Sequence, residues 1–195
     1  MVLLMLLSGV ACCPFFFRRD HALSVLLSAD RRGPWHQIAG EYAAYFIMML
    51  INTALLFGVL AIGAGEAVSL IPELAGLTPG GALLLFLQCL PALLAITALQ
   101  FALYELVDSV VSGMLCQVLC AIGLAYVSGC LYPIRFFPKS IQVLSALLPS
   151  GIARAYLSSC IAGGDGLWAA AALIGYAGLL LGGAVLARRR RIQWG

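Results

Sequence analysis

The segment GALLLFLQCLPALLAITALQFALY, residues 81–104, contains no charged side chain, and only Gln88, Pro91, Thr97 and Gln100 break its apolar and small-residue character. A helix needs about 20 predominantly apolar residues to cross a hydrocarbon core of roughly 30 Å, and this segment has them. Three further stretches read the same way: Ile38–Gly63, Val110–Leu131 and Leu167–Ala187. A fifth, Met1–Phe17, is apolar from its first residue. It has no basic region ahead of its apolar core and no clear small-residue cleavage site, so it reads as a span and not as a signal peptide. Closed β-barrels also satisfy the backbone in lipid, but they are built from alternating strands of about ten residues. Long runs of Leu, Ala and Gly are helical. The expected fold is therefore all-α: a polytopic helical membrane protein with five transmembrane helices in a single domain, residues 1–195.

Composition agrees. Of 195 residues, 63% are hydrophobic and 10% charged, and the mean hydropathy is +1.05. Soluble domains run at roughly 45–50% apolar and about 25% charged. A water-soluble enzyme and a disordered chain are excluded by that contrast. A nucleic-acid binder is excluded too, because no basic face with interleaved aromatics is present.

The net charge of +3 matters by its placement. Arg18, Arg19, Arg31 and Arg32 fall in one loop, and Arg188, Arg189, Arg190 and Arg191 fall in the tail 188–195, together eight of the eleven basic residues. Four spans separate the two clusters, so both lie on one side, and the positive-inside rule makes that side cytoplasmic. The 65–80 loop, with Glu66, Glu73 and no basic residue, then lies outside. Arg135, Lys139 and Arg154 also face outward and are expected to snorkel to the interface.

Two loops exceed what a connector needs. In the cytoplasmic loop 18–37, Leu23, Leu26 and Leu27 recur at helical spacing between Arg18-Arg19-Asp20 and Asp30-Arg31-Arg32, and Gly33-Pro34 ends the pattern. Such a helix either lies on the headgroups or docks a cytoplasmic partner through its leucines. In the outer segment 132–164, Pro133, Pro138 and Pro149 separate two short pieces. Ile141, Leu144, Leu147 and Leu148 give the first an apolar face, and Ile152, Ala155, Tyr156 and Ser159 mark the second. Each piece is too short to span and too apolar for water, which predicts a helical hairpin re-entering the outer leaflet or capping the bundle.

Reactive chemistry is sparse. A phosphate-binding P-loop places Lys directly after Gly, but the sole lysine, Lys139, follows Pro138. No cofactor or metal is expected in this chain. Cys12, Cys13, Cys89, Cys116, Cys120, Cys130 and Cys160 lack a completing ligand set and read as small hydrophobes, with a Cys130–Cys160 disulfide left open. His21 and His36 belong to no metal-binding pattern. Glu41, Glu105, Asp108 and Asp165 stand at span ends, so no carboxylate is expected at a bilayer centre, where ion coupling places one. Asn52, Thr53, Gln88, Thr97, Gln100, Ser112 and Gln117 are either interhelical glue or the lining of a path. Gly178 and Gly182, flanked by Gly175 and Gly183, allow close approach of another helix, in this protomer or at a dimer seam.

From about Phe15 to Arg191 the chain resembles the permease domain of type-2 ABC transporters. Arg19-Asp20-His21, followed by Leu23, Leu26-Leu27 and Arg31-Arg32-Gly33, looks like the acidic and basic stretch before that family's coupling helix. Asp20 and Ala22 stand where many relatives have glutamate and glycine. Ser128-Gly129-Cys130-Leu131-Tyr132-Pro133 with Phe137-Pro138 is similar to the family's S-G-x-x-x-P run after the fifth span, and Pro149 matches a further proline. The resemblance implies a six-span half-transporter, so one upstream span is expected beyond these five. It implies export across a cell membrane, read as a bacterial cytoplasmic membrane, with the C-terminus inside. The implied partners are a separate ATPase subunit carrying ATP and Mg, docked on Arg19, Asp20, Leu23, Leu26, Leu27 and Arg31, and a second permease subunit, identical or not. The alternative is an accessory or structural membrane subunit that transports nothing.

Overall fold

The computed structural model describes residues 2–16, 34–62, 79–107, 110–164 and 166–194. Among them the chain is all helical, with no strand. The helices are α1 (Val2–Phe16), α2 (Pro34–Ile62), α3 (Pro79–Leu106), α4 (Val110–Val127), α5 (Lys139–Leu147), α6 (Pro149–Ile161) and α7 (Leu167–Trp194), with a 3₁₀ turn at Ile134–Phe136. Three of the described helices, α2, α3 and α7, are long and apolar enough to cross a membrane, and α4 supplies a shorter apolar stretch, Val111–Val127.

Several boundaries differ from the sequence expectation. α2 begins at Pro34 and not at Ile38, because proline at the first helical position has no N–H to leave unpaired. α3 extends two residues beyond the expected window 81–104 at each end, from Pro79 to Leu106. α4 stops at Val127, short of Leu131. α7 continues through the basic tail to Trp194.

α3 is the axis of the bundle and touches α1, α2, α4, α6 and α7. Half of its apolar window is buried inside the protein (50%), against 22% for those of α2 and α7. Ala92, Ala95 and Ala98 are fully covered, so small side chains let neighbours come close. Pro91 stands inside α3 and removes one N–H from its ladder.

Polar bonds fasten α3 to its neighbours. Gln100 Nε2 donates to the Leu6 carbonyl of α1 at 2.8 Å. Its Oε1 accepts from Tyr45 of α2 at 3.4 Å, and the same hydroxyl donates to Gly9 O at 3.1 Å. Gln117 Nε2 of α4 donates to the Gln100 carbonyl at 2.6 Å. One residue of α3 thus ties three other helices. Ring contacts extend the seam, with Phe101 edge-on to Tyr42 (5.7 Å) and beside Tyr45 (6.5 Å). Tyr42 also donates to the Leu94 carbonyl at 3.1 Å. Gln100 and Gln117 are therefore interhelical glue. Thr53 Oγ1 and Gln117 Oε1 are buried with no protein partner.

Gly9 is required by this arrangement, because a Cβ there would overlap the Gln100 side-chain amide. Gly9→Ala and Gln100→Leu are each expected to remove both Gln100 side-chain bonds and lower stability by about 1–2 kcal/mol. Equilibrium unfolding in mixed detergent micelles measures this. A Gly9→Ala protein as stable as the parent contradicts the clamp.

Candidate functional site

The segment from Ser128 to Gly164 is where the chain departs furthest from a simple bundle, and a glycine starts that departure. Gly129 takes φ +75°, the left-handed conformation that ends helices. Gly129 N–H donates to Tyr126 O at 3.0 Å and Cys130 N–H to Ala125 O at 2.9 Å, the paired bonds of a Schellman stop. This is why α4 ends before Leu131.

Side chains then lock the stop to α6. Ser128 Oγ donates to the Leu124 carbonyl at 2.5 Å and lies 2.6 Å from Ser150 Oγ. Arg154 Nη1 donates to the Ser128 carbonyl at 2.9 Å. Arg154 is thus half-buried and turned onto the end of α4. A charged donor on a carbonyl at a helix end satisfies an acceptor that the helix leaves open.

The three prolines fall at the joints. Pro133 precedes the 3₁₀ turn, Pro138 precedes α5, and Pro149 is the first residue of α6. Leu148, between α5 and α6, is extended (φ −77°, ψ 142°), as a residue before proline prefers. The two short pieces therefore exist as α5 and α6, the second starting at Pro149. Gly151 packs against α5 so closely that a Cβ would overlap the Ser145 carbonyl. Gln142 Nε2 donates to Phe137 O at 2.8 Å, and the Tyr176 hydroxyl of α7 donates to the Leu147 carbonyl.

The residues named from the sequence divide between the two sides of these helices. On α5, Leu144 and Leu147 are exposed while Ser145 is buried. On α6, the buried set is Pro149, Ser150, Gly151, Ala153, Tyr156 and Leu157, whereas Ala155 and Ser159 are exposed. Close approach of backbones selects small and hydroxyl residues for much of the inside, where Tyr156 and Leu157 are buried beside them. Apolar spacing on α5 marks a side that is largely exposed. The signal that does locate the inner face is the run Ser150, Gly151, Ala153.

Other expected positions fall as follows. Arg19, Asp20, Leu23, Leu26, Leu27 and Arg31 lie outside the described residues. Cys130 and Cys160 are free thiols. Glu105 is buried near the end of α3. Gly175, Gly178, Gly182 and Gly183 of α7 have no atom within 4 Å of where a Cβ would stand, so this stripe is not used for packing within the protomer. No group of three metal-binding side chains converges among the described residues.

No protein-family model, curated protein or solved structure matches this chain.

Gly129→Ala places a side chain in the left-handed region, which costs roughly 1–2 kcal/mol, and brings Cβ within 2.6 Å of Arg154 Nη1. The expected result is a lower thermal midpoint in detergent together with new protease cleavage between Ser128 and Pro149. Unchanged cleavage contradicts the role given to this stop.

Proposed function

We propose that the chain is a membrane-spanning permease subunit of a type-2 ABC transporter, exporting a substrate with energy from a separate ATPase subunit. The observation that carries the reading is the Ser128-Gly129 helix stop followed by two short proline-bounded helices, of which α6 packs on α3 and α7 and α5 packs on α6 and α4. It gives a physical purpose to the sequence run in which the family resemblance is most specific.

In this reading α1, α2, α3, α4 and α7 cross the membrane, and α5 and α6 form a re-entrant hairpin on the outer side. Residues 18–37 and the basic C-terminal end lie in the cytoplasm of a cell membrane. The loop between α1 and α2 receives the ATPase. Both flanking helices are hydrogen-bonded to Gln100, so a displacement of that loop reaches α3 directly. From α3 it passes to α6 and α7, which pack on it. The chain's own task is thus mechanical: a rigid seam carries movement from the loop to the hairpin. The ATP and Mg belong to the partner. The unpacked glycine stripe of α7 supports a second permease subunit as neighbour, since small residues allow backbones to approach.

The test is purification from native membranes in mild detergent, with mass spectrometry of what accompanies the chain. A subunit with a Walker A motif is expected to co-purify, and to be lost when Leu23, Leu26 and Leu27 are replaced by serine while the chain still inserts. Absence of any ATPase, or its undiminished retention by the triple variant, contradicts the proposal.

A further inference from the structure

A different surface, at the far end of α4, carries a binding assignment that does not depend on what the protein transports. Val111, Leu115, Leu119, Ile122 and Tyr126 follow one another at three- and four-residue steps and are all largely exposed, so α4 presents one continuous apolar stripe. The stripe runs into a cluster of rings. Phe137 is buried edge-on between Tyr126 (5.0 Å) and Tyr132 (5.8 Å), and Tyr132 lies beside Phe136 at 5.4 Å. Phe136 is 62% exposed, and the Arg135 guanidinium sits over its ring at 5.3 Å. Lys139, also exposed, opens α5 four residues further on.

Charge makes this surface selective. Residues 109–164 contain no aspartate or glutamate. Arg154 is committed to the Ser128 carbonyl. Arg135 and Lys139 are therefore two cations that no carboxylate neutralises among the described residues. Arg135 stands over the Phe136 ring and Lys139 follows four residues on, both beyond the end of the apolar face of α4. Aromatic rings settle at the headgroup level of a bilayer, and cations there attract anionic lipids.

We propose that this elbow binds an anionic phospholipid of the surrounding bilayer. Its acyl chains lie along the Val111–Tyr126 stripe, and its phosphate is held by Arg135 and Lys139, with Tyr132 and Phe136 at the glycerol level. A neutral lipid fits the stripe equally well but leaves both cations unpaired. The selectivity resides in the headgroup.

The full chain, released from nanodiscs of mixed phosphatidylglycerol and phosphatidylcholine, is to be weighed by native mass spectrometry. Retained phosphatidylglycerol is expected to exceed its share of the bilayer, and R135Q/K139Q is expected to retain it at least tenfold less, from about fivefold per basic residue. Both positions are exposed, so the variant keeps its packing. As a check that needs no variant, raising the ionic strength before release is expected to strip phosphatidylglycerol from the parent. Four results overturn the proposal. They are equal retention by parent and variant, equal retention of the two lipids, indifference to salt, and displacement of the lipid by free glycerol phosphate. A second copy of the chain covering the stripe, seen as a lipid-free dimer, overturns it too.

Discussion

A single glutamine sets the constraint on which the bundle rests. In lipid no water is at hand to satisfy an amide, so Gln100 must find its partners inside the protein. It finds them on α1, α2 and α4 at once, through its side-chain nitrogen, its side-chain oxygen and its backbone carbonyl. Hydrophobic attraction offers little to choose between helix neighbours in a bilayer, because acyl chains are as apolar as leucine. Directional bonds and close backbone contact have to choose instead. Gly9 under Gln100 and Gly151 under Ser145 show both means at work: each glycine leaves room for a contact that a methyl group would block.

The same preference for close backbone contact decides which side of each short helix is the inside. α5 and α6 bury Ser145, Ser150 and Gly151 and expose Leu144 and Leu147. The buried hydroxyls stand where partners exist, Ser150 Oγ beside Ser128 Oγ. The Ser128 and Ser150 hydroxyls, 2.6 Å apart, and the Arg154 bond to Ser128 form one connected polar knot at the root of the hairpin. The hairpin is thereby fixed to the end of α4 and, through Tyr176, to α7.

Much of this is legible in the sequence, though unevenly. The charge-free run 81–104 identifies a membrane-length helix by length alone, and the described fold makes it the most enclosed of the three span-length helices. Pro133, Pro138 and Pro149 mark the joints correctly, because proline restricts its own φ and the residue before it wherever it stands. The end of α4 is less visible: the apolar run continues past Val127, and only the left-handed glycine stops it. Partner choice is invisible from one helix. Nothing around Gln100 names Leu6 or Tyr45, and Arg154 looks like any interfacial cation until Ser128 is brought beside it by the fold.

The claim that polar bonds to Gln100 select the helix neighbours is tested most directly by a double-mutant cycle between Tyr45→Phe and Gln100→Leu. Unfolding free energies of the parent, both single variants and the double variant are measured in the same mixed micelles. The predicted coupling is about 0.6–1.7 kcal/mol, the range of interhelical bonds in membrane proteins. Strictly additive losses contradict the account, because the two side chains then contribute independently and the seam does not hold α2 to α3.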